Sequence, residues 1–160
     1  MAIKNYDRTS AVNYARKWAF GRNPAYYNFD ALGGDCTNFV SQCVYAGAGI
    51  MNFTPVTGWY YISANSRTAA WTGVEYLYRF LTENKGAGPF GEEVTLPHLL
   101  VGDIVQFGNG NGDFYHSGII TAFYDNTPLI TTHTFDALDR SIYSYSFQQI
   151  RFIHVSGVNI

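Results

Sequence analysis

The stretch that decides the fold is Gly33-Gly34-Asp35-Cys36-Thr37-Asn38-Phe39-Val40-Ser41-Gln42-Cys43. Counting from Cys36, apolar residues recur at the third, fourth, seventh and eighth following positions, which is the spacing of one helix face. Asp35 is a favourable N-cap residue, because its carboxylate can accept a hydrogen bond from the first turn. The pattern therefore predicts an amphipathic helix over residues 36–46, preceded by a flexible loop and closed in the glycine-containing region 47–49.

Cys36 occupies the first turn of this predicted helix. The positive end of the helix dipole favours a thiolate there, which is the ionised form that attacks carbonyl carbons. The alternative is a buried cysteine that packs as a small hydrophobe. Cys43, two turns further along the same predicted helix, faces the predicted core. A helical rise of roughly 10 Å separates the two, whereas a disulfide needs Cα atoms within about 7 Å. We therefore expect Cys36 to be a free, nucleophilic thiol.

The remaining pattern changes from helical to strand-like along the chain. Residues 10–20 and 70–81 have helical spacing, with Ser10 or Thr9 as the cap of the first helix, and residues 51–68 look irregular. Strands are predicted at 104–107, 114–123, 129–134 and 149–155, after a Gly102-Asp103 turn. Helices followed by antiparallel strands indicate an α+β fold, which we assign to a single domain over residues 1–160.

Composition excludes several classes of protein. The chain is 47% hydrophobic and 14% charged, which is incompatible with intrinsic disorder. Its net charge of −2 provides no basic surface for nucleic acid. No apolar run is long enough to span a membrane, and we expect a monomer. The first seven residues contain no apolar secretion segment, so the chain stays in its cell, leaves by another route, or is a piece of a longer protein.

A cysteine nucleophile needs a base, and histidine is the usual one. His116 lies in the middle of one predicted strand and His133 in the next, whereas His98 and His154 read as surface or structural residues. If residues 124–127 form a four-residue turn, both central histidines face the same side of the sheet. A bulge or an odd loop would place them on opposite faces. The competing interpretation of each is a hydrogen-bonded core histidine.

Two other features are weaker. Residues 109–113 (Asn-Gly-Asn-Gly-Asp) lack the alternating carboxylates and terminal glutamate of a calcium loop, so we interpret them as a turn and predict no metal site. The aromatic residues near Trp59 suit either the core or the wall of a groove that binds a sugar or a peptide.

Several motifs together resemble the putative amidase domain family of papain-like cysteine hydrolases, which is related to NlpC-type wall peptidases and to cysteine/histidine-dependent amidohydrolase/peptidase domains. They are the Gly34–Gln42 stretch, His116-Ser117-Gly118-Ile119-Ile120, and His133-Thr134-Phe135-Asp136. Further likeness lies in Arg22-Asn23-Pro24 and Gly102–Phe107, so it extends over nearly the whole chain.

The resemblance implies a papain-like fold, with the Cys36 helix packed on the sheet that carries the histidines. It also implies Cys36 as nucleophile, His116 as base and His133 as the third catalytic member, with Asp136 as the alternative third member. Candidate substrate contacts are Asp35, Trp59 and Tyr115. The implied substrate is a peptide or a muropeptide of the bacterial cell wall, cleaved at an amide bond without a cofactor, in an extracellular or wall location.

Two other functions fit the same residues. One is a non-catalytic module that keeps the fold and uses an aromatic groove to bind a peptide or wall glycopeptide. The other is a cysteine acyl transferase, which would pass the acyl group to an amine instead of water.

Overall fold

The computed structural model describes residues 1–160 as helices followed mainly by antiparallel strands, which confirms the predicted α+β class. The helices are α1 (Arg8–Trp18), α2 (Cys36–Ala48), α3 (Ala69–Thr72) and α4 (Val74–Glu83). The strands are β1 (Ile3–Lys4), β2 (Tyr61–Ser63), β3 (Ser66–Arg67), β4 (Gly88–Val94), β5 (Ile104–Gly108), β6 (Phe114–Tyr124), β7 (Thr127–Thr132), β8 (Ala137–Ser141) and β9 (Gln149–Asn159). No helix has the length and apolar character needed to cross a membrane.

Seven of the strands form one antiparallel sheet. Its order is β1-β9-β5-β6-β7-β8, and β4 also pairs with the long strand β9. The strands β2 and β3 form a separate small hairpin within the stretch that looked irregular. Because β5, β6 and β7 are adjacent, the histidine-bearing part of the chain lies in the middle of the sheet, where α2 packs.

The two faces of the sheet have separate cores, as the period of two in a strand requires. Ile104, Ile119 and Ile153 point towards the helices and join the larger cluster. Their neighbours Val105 and Ile120 point the other way, into a second cluster covered by loops. Each central strand is therefore buried on both sides, which fixes its register.

The helix α2 has the predicted position and is buried along nearly its whole length. It ends at Gly49, whose φ of 70° is left-handed and whose N–H bonds to the Tyr45 carbonyl. Two residues earlier, Gly47 lets α2 approach the chain just before α1: a Cβ at this position would lie 2.5 Å from the Tyr6 ring and 2.7 Å from the Asp7 carbonyl oxygen. This close contact seats α2 against the start of α1.

Three local predictions were wrong in detail. The helix α1 begins at Arg8 and is capped by Asp7, not by Ser10 or Thr9: the Asp7 carboxylate accepts bonds from the N–H and hydroxyl of Ser10 at 3.0 and 2.7 Å. The predicted helix 70–81 is two helices, because Gly73 between α3 and α4 is extended. Three strands of the sheet, β1, β4 and β8, lacked a recognisable pattern, since they lie at exposed or partly exposed positions.

The hairpin of β6 and β7 also differs from the expectation. Its turn has two central residues, Asp125 and Asn126, both left-handed as a type I′ turn requires. A bulge between Ile120 and Ala122 then shifts the register by one residue, so that Ile119 pairs with Thr131. Continued along the strands, this register puts Ser117, not His116, opposite His133. The expectation that both histidines share one face is therefore wrong.

The close contact at Gly47 generates a stability prediction. Gly47→Ala should lower the free energy of unfolding by about 1–3 kcal/mol, because its methyl group overlaps the Tyr6 ring and the Asp7 carbonyl. Gly21→Ala is the matched control, since its Cβ would meet only Trp18 at an ordinary 3.6 Å. Urea unfolding of both variants measures the difference. Equal stabilities would mean that α2 does not depend on this contact.

Candidate active site

Cys36 lies at the first position of α2, where the helix meets strand β6. Its side chain is almost buried, with 8% of the residue exposed. Its sulfur is 3.7 Å from the Thr37 hydroxyl, which in turn lies 3.1 Å from the Ser117 hydroxyl. The Ser117 backbone N–H also interacts with the sulfur. Because Ser117 follows His116 in the chain, the thiol lies against the strand segment that carries His116. The His116 side chain itself lies on the Phe107 face of the sheet, whereas Ser117 faces α2, and no hydrogen bond joins the imidazole to the Cys36 sulfur.

Burial raises the pKa of the Cys36 thiol above its ordinary value. The N–H of Ser117 and the hydroxyl and N–H of Thr37 oppose this shift, and the Asp35 carboxylate adds to it. The expectation that the helix start holds this cysteine ionised is therefore wrong for the resting protein: at neutral pH Cys36 is a thiol.

His116 projects from β6 into an aromatic environment, and 9% of the residue is exposed. Its ring lies 5.9 Å from the Phe107 ring and 5.9 Å from the Tyr145 ring, measured between centroids. Its Nε2 atom is buried and has no hydrogen-bond partner. Burial lowers the pKa of His116 from 6.5 to about 4, so the imidazole is neutral at pH 7.

Asp35 occupies the N-cap position of α2 but does not cap it. No side-chain bond reaches the helix N–H groups. Instead one carboxylate oxygen accepts bonds at 2.9 Å from the Phe29 N–H and the Asn38 amide, and the other lies 2.5 Å from His133 Nδ1. Burial raises the pKa of Asp35, but these hydrogen bonds outweigh it and hold the pKa below its ordinary value. The predicted capping bond is therefore absent, and the carboxylate is turned away from the helix end.

His133 follows β7 and is fully occupied by contacts other than His116. Its Nδ1 lies at the Asp35 carboxylate, and its Nε2–H donates to the Trp18 carbonyl at 2.8 Å. Its ring stacks on Phe39 with 3.9 Å between centroids. No hydrogen bond joins it to His116. His133 therefore connects the end of β7 to the end of α1 and to the start of α2.

Arg22 completes this network from the loop after α1. Its guanidinium forms paired hydrogen bonds with Asp136 at 2.9 and 3.0 Å and with Asp30 at 3.2 Å, and it lies 3.6 Å from the Asp35 carboxylate. Asp136, predicted as the alternative third member, is thus paired with Arg22 and not with His116. Nothing in the local sequence around Arg22 indicates this role, apart from its place in the family-like Arg-Asn-Pro motif.

The other predicted site residues lie in different environments. Trp59 is completely buried: its ring packs 4.7 Å from Trp71 and its N–H donates to Ser41. This places Trp59 in the core and not in the wall of a groove. Tyr115 is half-exposed beside His116, with its hydroxyl on the Ser146 carbonyl. His154, interpreted as structural, binds the buried Asp103 carboxylate at 2.9 Å.

A strained turn adjoins the start of α2. Thr134 and Phe135 both have left-handed φ angles, 63° and 60°, which is unfavourable for a β-branched and for an aromatic residue. The Thr134 hydroxyl accepts a bond from the Asp35 N–H at 3.2 Å. The Phe135 ring is left almost fully in solvent. The turn therefore fixes the backbone immediately before Cys36.

Comparison with known proteins shows the family of this chain. The chain belongs to the family described as "putative amidase domain", whose model matches residues 5–156. The family description indicates a hydrolase of amide bonds. A curated relative is the uncharacterized protein YhbB of Bacillus subtilis (strain 168), 35% identical over 136 residues, or 82% of this chain. The match covers 42% of that relative's length. No solved structure matches.

The Asp35–His133 contact predicts a pH-dependent loss of stability. A carboxyl whose folded pKa is lowered stabilises the fold above its ordinary value of 3.8, and this contribution disappears as pH falls through the folded value. Asp35→Asn should lower the free energy of unfolding by about 2 kcal/mol at pH 7. It should also reduce the loss of stability that the parent protein shows as the pH falls below about 4. Urea unfolding at several pH values measures both effects.

The matched control is Asp113→Asn. Asp113 lies in an exposed loop, and its side chain contacts neither Asp35 nor His133. Its stability should follow the parent protein at every pH. If Asp35→Asn behaves like this control, the buried pair does not stabilise the site.

Proposed function

We propose that this protein is a cysteine-dependent amide hydrolase, with Cys36 as nucleophile and His116 as base. The observation that carries the proposal is the position of Cys36: a nearly buried thiol at a helix start, in contact with the backbone of Ser117, one residue from a histidine. Membership of the putative amidase domain family supports the amide bond as the target. The papain-like architecture expected from the sequence is part of the same proposal.

The environment favours a neutral pair over a preformed ion pair. As the sulfur attacks the carbonyl carbon, its proton passes to His116, and a tetrahedral intermediate with a negative oxygen forms. His116 then gives this proton to the departing amine, and the C–N bond breaks to leave an acyl group on Cys36. Water, deprotonated by His116, attacks that thioester, and the thiol regains the proton as the acid leaves. Every proton removed is returned.

The start of α2 is suited to the developing oxyanion. First-turn N–H groups of a helix have no intrahelical acceptor, and the dipole favours negative charge there. Because the Asp35 carboxylate is directed to His133 and Asn38, it does not occupy this position. The N–H of Cys36 is thus the proposed oxyanion donor.

We assign His133 a supporting role in this mechanism. The contacts described above favour action through Asp35: His133 holds the carboxylate that fixes the residue before Cys36. Asp136 would act one step further away, by anchoring Arg22. Both remain proposed members of the catalytic assembly, but neither orients His116 by a hydrogen bond.

The proposed substrate is a peptide or a muropeptide of the bacterial cell wall. Two ring-bearing residues near the site have most of their surface free: Tyr115, which precedes His116 in the chain, and Phe135, which follows the Thr134 that contacts Asp35. Such rings give contact area to peptide side chains and to sugar faces. A negative chain without a basic surface is also compatible with a neutral or cationic peptide.

The nucleophile is tested with purified bacterial muropeptides and mass spectrometry of the products. Cys36→Ser should reduce hydrolysis by at least about 100-fold, because the hydroxyl is a far weaker nucleophile in this neutral site. Cys43→Ala, the control at the other cysteine, should keep activity because Cys43 is buried in the core. Hydrolysis by Cys36→Ser at the parental rate would contradict the proposal. Amine adducts in place of free acid would identify a transferase.

The pH dependence of kcat/KM tests the protonation states. His116 acts as a base only when neutral, so the rate should rise with pH through a midpoint near 4 and stay high through pH 7. Alkylation of Cys36 by iodoacetamide should continue to accelerate into the alkaline range, because the pKa of the thiol is raised. A midpoint near 6.5 with rapid alkylation at pH 5 would instead show a preformed ion pair.

A further inference from the structure

His116 lacks the hydrogen-bonded third side chain that usually orients a catalytic histidine. Its Nε2 is buried without a partner. The two candidates from the sequence, His133 and Asp136, bond to Asp35 and to Arg22 instead. An imidazole that must accept a proton from a defined direction still needs a fixed ring plane, so another interaction has to supply it.

Aromatic contacts surround the imidazole. Phe107 is the direct partner of His116 across β5 and β6. The planes of the two rings are nearly parallel, with an interplanar angle of 7°. Tyr145 approaches from the segment after β8: its ring centroid is 5.9 Å from that of His116 and 5.1 Å from that of Phe107. One phenol ring therefore contacts both members of the cross-strand pair.

We propose that Tyr145 is a positioning residue for His116, whose ring fixes the imidazole plane and excludes water from it in place of a hydrogen-bonded third residue. This inference rests on the proposed function of His116 as the base. It assigns the positioning of His116 to an apolar surface and leaves His133 to hold the start of α2.

Tyr145 is itself held in position. The Arg140 guanidinium lies 4.3 Å from the centre of its ring, a cation–π contact. Arg140 is fixed in turn by bonds to the hydroxyl and carbonyl oxygens of Ser144, at 2.7 and 3.1 Å. The Tyr145 hydroxyl is 3.5 Å from the Thr132 hydroxyl on β7. The ring thus has contacts with β5, β6, β7 and β8, and its position is set by the sheet.

The contact of the Tyr145 ring with His116 has a chemical effect that can be measured. Among titratable groups, the Tyr145 phenol contacts the His116 ring, and Arg140 from β8 lies behind the Tyr145 ring. Burial is the cause of the lowered pKa of His116, with no contribution from a neighbouring charge. Removing the ring would admit water to the imidazole, stabilise its protonated form and raise its pKa.

The experiment is an NMR titration of the histidine ring protons in the whole chain, with the His116 signal assigned by its loss in His116→Gln. In the parent protein the pKa of His116 should be about 4. Tyr145→Phe keeps the ring and should leave this value unchanged. Tyr145→Ala should raise it above about 5 and should lower kcat on muropeptides by about tenfold, with KM little changed.

The matched control is Tyr143→Ala, which removes an exposed tyrosine two residues away from Tyr145. It should leave the pKa of His116 and kcat at the parental values. If Tyr145→Ala does not fold, Tyr145→Val provides a smaller cover, and the same direction of change is expected. An unchanged pKa in the folded Tyr145→Ala or Tyr145→Val variant overturns the inference, as does an equal rise in Tyr145→Phe.

The titration does not require the protein to turn over a substrate. If Cys36→Ser hydrolyses muropeptides as well as the parent, the proposed function fails while the pKa measurement still decides whether Tyr145 covers His116. If Cys36→Ser is inactive and the pKa is insensitive to the ring, the function stands and the positioning role of Tyr145 fails.

Discussion

The buried contact between Asp35 and His133 is the interaction on which the rest of the site depends. Both side chains are 1% exposed, and they join residues 98 positions apart in the chain. A charged group so far from water is tolerated only with a close partner and further hydrogen bonds, which the Phe29 N–H, the Asn38 amide and the Trp18 carbonyl supply. Through this contact the end of the strand β7 sets the position of the start of α2.

The same burial decides the electrostatics of the site. A helix dipole stabilises a charge at its end by about 0.3–1 kcal/mol, and by up to about 2 kcal/mol in favourable cases. Removing an ionisable group from water can shift its pKa by as much as about 3–5, which corresponds to more than twice that energy. Desolvation is therefore the largest influence on the pKa of both Cys36 and His116. Both groups are therefore uncharged at neutral pH.

The sequence predicted those elements whose signal is local. The apolar spacing after Cys36 placed α2 within two residues, and the strand pattern located β5, β6 and β9 because both of their faces are buried. The split at Gly73 and the edge strand β8 were missed, since their conformation is imposed by tertiary contacts rather than by a repeated pattern.

Within the site, residue types were easier to predict than partners. The thiol and the nearby histidine strand followed from residue type and position, but the partner of His133 could not be inferred. That partner depends on one extra residue in β6, and an interior bulge without a glycine has no sequence signature. Likewise, the aromatic cover over His116 comes from Tyr145, in a segment with neither helical nor strand periodicity.

The wide separation of the site residues along the chain has a consequence for biosynthesis. A nascent chain that has left the ribosome only as far as β5 contains the thiol and the segment for its helix, but it has neither the imidazole nor the anchor for Asp35. Chains rich in such distant contacts fold slowly, because closing a long loop costs conformational entropy before the stabilising contacts can form. The residues of the candidate site are therefore brought together late, after the strands β6 and β7 have been synthesised.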